Sequence, residues 1–221
     1  MSAPAETVTP RPVRLDVAGV ALNGDLALPA DAQGLIVFAH GSGSGRHSSR
    51  NRAVAEVLQH ARLGTLLLDL LTEREEMVDA TTAQYRFDIP LLADRVVATL
   101  DWTQMHPQTS PLPLGLFGAS TGAAAALIAA AERPRMVRAV VSRGGRPDLA
   151  EAALDAVTAP TLFIVGGRDE VVIHLNEQAF ARLKEPKELQ IVPGATHLFE
   201  EPGALEQVSR LARDWFVRHL G

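Results

Sequence analysis

Apolar positions along this chain change period several times. From Val13 to Val17, and again from Val20 to Leu28, they alternate with polar ones, and Ala18-Gly19 joins the two runs. A period of two is that of a strand with one covered face, so these segments predict an antiparallel opening pair. Leu35 to Ala39 is instead a short unbroken apolar run, as expected of a strand covered on both faces. Helical spacing follows over Asn51 to Arg62, with Val54, Val57, Leu58 and Ala61 in phase, and Thr65 to Leu68 is the next strand. Asp88 can cap a helix that tolerates Pro90 in its first turn and turns Leu91, Leu92, Val96 and Leu100 inward.

The same alternation continues to the end of the chain. Leu112 to Phe117 predicts a strand, Ala123 to Ala131 a helix, Val137 to Val141 a strand and Leu149 to Val157 a short helix. Leu162 to Val165 and Leu189 to Val192 predict the last two strands, with a helix near Ile173 to Leu183 between them. Leu205, Val208, Leu211, Ala212, Trp215 and Phe216 mark one face of a closing helix. Strands alternating with helices at this spacing predict an α/β fold, a mainly parallel sheet with helices on both faces. Leu71 to Arg86 is acidic and shows neither period. It is expected to be irregular and to wall a site, with Glu73, Glu75 and Glu76 on a solvated face.

Composition narrows the class. At 221 residues the chain is expected to be a single domain over residues 1–221, with a loose N-terminal tail over residues 1–12. A net charge of −5 gives no electrostatic reason to expect nucleic acid or an acidic membrane as partner. The absence of cysteine excludes disulfides, thiolate nucleophiles and cysteine-held metals. No signal-like start and no apolar run of spanning length are present, so a cytoplasmic location is expected. A homodimer stays open.

The chemistry-bearing signal is Gly118-Ala119-Ser120-Thr121-Gly122. It fits G-x-S-x-G and lies between a strand and a helix, the context in which that motif lifts a serine hydroxyl onto a sharp turn. An acid and then a histidine should follow in chain order, each just after a strand. Asp169 in Gly166-Gly167-Arg168-Asp169 and His197 in Pro193-Gly194-Ala195-Thr196-His197 meet that requirement, with Glu170 and Asp148 as rival acids. His197 would take and return the proton of Ser120, and Asp169 would hold its tautomer. The oxyanion donors expected are the Thr121 amide and the Ser42 amide, with Gly43 as the alternative to Ser42. The loop His40-Gly41-Ser42-Gly43-Ser44-Gly45 lets the backbone approach a ligand at Gly41 and Gly43. It has neither the lysine nor the spacing of a phosphate-binding loop. Arg143, in Ser142-Arg143-Gly144-Gly145-Arg146, either binds a substrate carboxylate or pairs on the surface with Asp148 or Glu151. Arg46, Arg50 and Arg52 carry the same two readings.

On these four segments the chain resembles an α/β-hydrolase of the dienelactone hydrolase-like group over nearly its full length. The resemblance implies an eight-stranded sheet without a sizeable lid, a Ser120–Asp169–His197 triad, no cofactor or metal, and hydrolysis of esters or related acyl compounds. One departure matters. Well-known members resemble this chain but use a cysteine nucleophile, and a serine stands here. The function expected is therefore a serine carboxylesterase acting on a small-molecule ester or thioester. Acyl transfer or perhydrolysis on the same triad, and a non-catalytic small-molecule-binding protein on a hydrolase scaffold, are the alternatives.

Overall fold

The structure, a computed structural model, describes residues 8–184 and 186–221. The strands are β1 (Arg11–Val17), β2 (Val20–Ala27), β3 (Gly34–Ala39), β4 (Leu63–Leu68), β5 (Leu114–Ala119), β6 (Val137–Arg143), β7 (Thr161–Gly166) and β8 (Lys187–Val192). They form one eight-stranded sheet in the order β1-β2-β4-β3-β5-β6-β7-β8. β1 pairs antiparallel with β2, and β2 antiparallel with β4; every other pairing is parallel. Parallel neighbours need a crossover. These are supplied by α1 (Ser49–His60), α3 (Ile89–Met105), α4 (Thr121–Glu132) and α5 (Glu170–Arg182), and between β6 and β7 by the 3-10 segment Pro147–Ala156, with α2 (Glu73–Thr82) ahead of α3 and α6 (Ala204–Leu220) closing the chain.

Alternation within each central strand sends side chains into two separate cores. Leu35, Val37, Leu114 and Leu116 join Val96, Leu100 and Leu127 on the side covered by α3 and α4. Ile36, Phe38 and Phe117 join Val54, Leu58, Trp215 and Phe216 on the side covered by α1 and α6. The alanines of α4 from Ala123 to Ala126 are fully buried. Their small side chains let this helix lie close on the sheet, which brings its N-terminus to the end of β5.

Three expectations change. Residues 71–86 are not irregular throughout: α2 occupies Glu73–Thr82, fixed by a capping box in which Thr72 and Glu75 serve each other's backbone amides. Its residues are mostly exposed, so no apolar stripe marked it in the sequence. The helix expected over Leu149–Val157 is two short 3-10 turns within Pro147–Ala156, broken at Glu151, whose φ is 45°. Of the tail expected over residues 1–12, residues 1–7 lie outside the described residues, and Arg11 and Pro12 already belong to β1. No helix among the described residues is long and apolar enough to cross a membrane.

Candidate active site

Ser120 stands between β5 and α4 at φ 51° and ψ −123°, a region a non-glycine residue seldom occupies. The crowding around it accounts for the flanking glycines. A Cβ at Gly122 would run into the Ala39 carbonyl oxygen, and one at Gly118 into the main chain of Ala123. The turn is tied down from β6: the Ser120 amide donates to the Arg143 carbonyl at 3.3 Å, and the Arg146 amide to the Ser120 carbonyl at 3.0 Å.

Asp169 follows β7 at the N-terminal end of α5, and His197 lies in the loop between β8 and α6. His197 Nδ1 donates to Asp169 Oδ2 at 2.7 Å, and its Nε2 lies 3.4 Å from Ser120 Oγ. A proton held on Nδ1 leaves Nε2 as the acceptor facing the serine. The loop that carries His197 is fastened by the Thr196 amide donating to Glu201 and by buried Phe199 at φ 57°. Neither rival acid is placed this way. Glu170 is an exposed first residue of α5, and Asp148 accepts both arms of Arg146 at 2.8 and 2.7 Å.

The Gly-rich loop after β3 packs against the serine: a Cβ on Gly41 would sit 3.0 Å from that of Ser120. Ser42 Oγ and Thr121 Oγ1 are 3.0 Å apart, which brings the two expected oxyanion residues together. Gly43 takes a φ of 66° in this loop. It lines a 460 Å³ cavity with Leu71, Ala80, Arg86 and Leu92 on the α2 side, whereas Ser120 and His197 line a 160 Å³ cavity with Gly41, Ser42 and Arg143. Gly41, Ser42 and Arg143 share the cavity of Ser120, and Gly43 lines the larger one together with Gly41, Ser42 and Thr121.

The flanking arginines separate. Arg46 pairs with Asp69 and Asp25, Arg52 with Asp25, and Arg50 with the exposed carboxylate of Glu200. Arg143 does not pair with Asp148 or Glu151; it is buried, 8% exposed, and among the described residues its side chain hydrogen-bonds only Asn51 Oδ1, at 3.5 Å. Burial and the nearby Arg50 charge push it down to about 10. The Glu76 carboxyl, between the larger cavity and the arginine cluster, is raised by burial and by Asp69.

Two residues were not singled out from the sequence. His40 is buried and bridges two segments, donating from Nδ1 to the Gly41 carbonyl at 2.8 Å and accepting the Leu70 amide on Nε2 at 2.9 Å. Burial lowers its pKa, against the pull of Gly41 and Asp69, so it holds the loop as a neutral ring. Asn51 lies under Arg143; its signal was present, since positions 51, 54, 55 and 58 share the buried face of α1. No group of three or more metal-ligating side chains occurs among the described residues.

The dienelactone hydrolase family model matches residues 64–216. A dienelactone hydrolase from Anabaena variabilis is 56% identical with a TM-score of 0.96, covering 98% of this chain and 100% of that one. A Mycobacterium tuberculosis protein named "Putative phosphoribosyl transferase" is 58% identical over 205 residues, covering 92% of this chain and 45% of that protein. The chain thus spans less than half the length of that curated relative. Est1E from Butyrivibrio proteoclasticus shares the fold, with a TM-score of 0.78 at 19% identity over 95% of this chain and 98% of that one.

Proposed function

The chain belongs to the dienelactone hydrolase family, and from that membership we propose a serine hydrolase that cleaves small, accessible carboxylic esters or thioesters through an acyl-enzyme. The observation that carries the reading is the run of contacts from Ser120 Oγ through His197 to Asp169 Oδ2, with Ser120 on a positive-φ turn. A serine hydroxyl is a weak nucleophile unless a base stands within hydrogen-bond reach. At 3.4 Å the serine–histidine approach is long, as such contacts commonly are before substrate tightens them.

In the reaction proposed, Ser120 Oγ attacks the acyl carbon as its proton passes to His197 Nε2. The carbonyl oxygen becomes an oxyanion facing the amides of Thr121 and Ser42. Collapse breaks the bond to the alkoxide or thiolate, which leaves with the proton returned by His197. Water then attacks the acyl-enzyme with His197 again as base, releasing the acid and restoring the serine. Asp169 stabilises the imidazolium in both halves without itself taking the proton. The described residues read as one hydrolase domain, and a cytoplasmic location and the absence of nucleic-acid or membrane partners belong to the same proposal, on composition and charge.

The transferase in the name of the M. tuberculosis relative describes a protein of which this chain matches only part. Nothing in the arrangement around Ser120 favours phosphoribosyl transfer over acyl chemistry. The test is hydrolysis of p-nitrophenyl esters, acetyl through octanoyl, beside Ser120→Ala. Turnover lost in a folded variant is the expected outcome; retained turnover would sink the proposal.

A further inference from the structure

Two arginines in the cleft of the serine are only partly answered by the protein. Arg143 closes β6, directly beside Ala119 in the sheet register, and its carbonyl anchors the Ser120 amide. Its Nε and Nη1 are buried without a partner among the described residues. Among the described residues its side chain makes one hydrogen bond, the long contact with Asn51. Arg50 lines the same 160 Å³ cavity from the first turn of α1, and its Nε is likewise buried and unpartnered. Among the described residues only its Nη1 is engaged, at the rim, by Glu200. Of the other carboxylates nearby, Asp169 is engaged by His197 and Asp69 by Arg46, while Glu73 and Glu76 line the neighbouring 590 Å³ cavity that Arg50 shares.

A buried guanidinium without an acceptor is unfavourable, and native structures seldom keep one. Arg50 is only partly buried, its side chain 31% exposed and its Nη1 on Glu200, but its charge in the same cavity adds repulsion to Arg143. The N-terminal end of α1 adds a partial positive charge, and no acidic residue in its first turn offsets it. An acceptor brought by the substrate resolves all three. A single carboxylate supplies one charge in one plane and would satisfy one arginine fork. A phosphoryl group carries close to two charges at neutral pH and three acceptor oxygens, one for each of the three unpartnered nitrogens on two elements. We propose that the ester attacked by Ser120 carries a phosphoryl group, bound between Arg143 and Arg50. The inference rests on the ester-hydrolase reading for the reaction, and on the arginines alone for the anion.

The test separates the two. Binding of inorganic phosphate, and of succinate as a carboxylate probe, is measured by titration calorimetry on the intact protein, Arg143→Met and Arg50→Met. Labelling of Ser120 by a neutral fluorophosphonate is followed in parallel, with and without phosphate. The proposal expects phosphate to bind, to slow labelling, and to bind about tenfold or more weakly in each variant, as when one side of a buried charge pair is removed. Succinate binding with the same arginine dependence while phosphate does not bind would overturn the phosphoryl assignment. Neither anion binding, with Ser120 still labelled, would overturn the anion site and leave the hydrolase standing. Arginine-dependent phosphate binding without labelling would keep the anion site and remove the ester chemistry. Should Arg143→Met fail to fold, Arg143→Lys keeps the charge but loses the fork, and with Arg50→Met it carries the same comparison.

Discussion

At φ 51° the backbone of Ser120 is held by its surroundings, at a cost of about 1–3 kcal/mol that the packed elements on either side must offset. The narrowest of those contacts is Gly122 beneath the Ala39 carbonyl. Gly122→Ala should force α4 away from β3, destabilising the fold by about 1–3 kcal/mol. Fluorophosphonate labelling should fall by a larger factor than this loss explains, because the displaced helix carries the Thr121 amide. Urea denaturation and labelling rate, measured on one preparation, check both halves. Ser42 gives the opposite expectation. If its contribution is the backbone amide, Ser42→Ala keeps that donor and should hold kcat within about tenfold, against the 10²–10³-fold typical of losing an oxyanion donor. A larger drop would transfer the role to the Ser42 hydroxyl and its contact with Thr121.

Among the elements, α2 differs most from its neighbours. It lies between β4 and α3 with Met77 70% exposed, and polar ties fasten it: Thr72 and Glu75 at its start, Arg95 to Glu75, and Asp79 to the Tyr85 and Arg86 amides and the Arg86 side chain. Thr72→Ala should remove about 1 kcal/mol. Hydrogen exchange should show the loss as faster local opening of residues 73–82, with the sheet amides unchanged. The same element marks the limit of what pattern reveals. β3, β5, β7 and α6 were legible because burial on a fixed face writes a period into the sequence. α2 faces solvent nearly all round and writes none, although its T-x-x-E cap was there to be seen. The 3-10 turns at Pro147–Ala156 were misjudged for a related reason: Glu151 at φ 45° breaks a segment whose apolar spacing is helical. In the site, Ser120, Asp169 and His197 were legible because each ends a strand in a fixed chain order. The surroundings of Arg50, Arg143 and His40 were not, since the burial of each depends on segments far away in the chain.

For the molecule as a whole, acid should act in two stages. His40 is neutral in the fold with a lowered pKa. Below its ordinary value of about 6.5 the unfolded chain takes up that proton before the folded chain does, so stability declines as pH falls from there toward the folded pKa. Glu75 is lowered because the Arg95 and Thr72 hydrogen bonds outweigh burial, and Asp79 because those from Arg86 and Tyr85 do. Their contribution is complete above the ordinary carboxylate range near pH 4 and is lost as pH falls below it through their folded values. Melting temperature should therefore fall as pH drops through about 6.5, and again below about pH 4. His40→Gln should shrink the first step, to which His219, also lowered by burial, contributes, and leave the second.

The sheet has a consequence in time as well as in space. Ser120, Asp169 and His197 are separated by 49 and 28 residues, and each follows a different parallel strand. Parallel pairing waits on long crossovers, so β5, β7 and β8 must all find their places before the three side chains can meet. A refolding chain should regain helix signal early and remain inert to fluorophosphonate until the last strand docks. In a stopped refolding experiment, reactive serine should return with the slow burial of Trp215 and not with the fast far-ultraviolet phase. The proposed nucleophile would then serve as a clock for completed folding, readable with a reagent that any partly assembled sheet ignores.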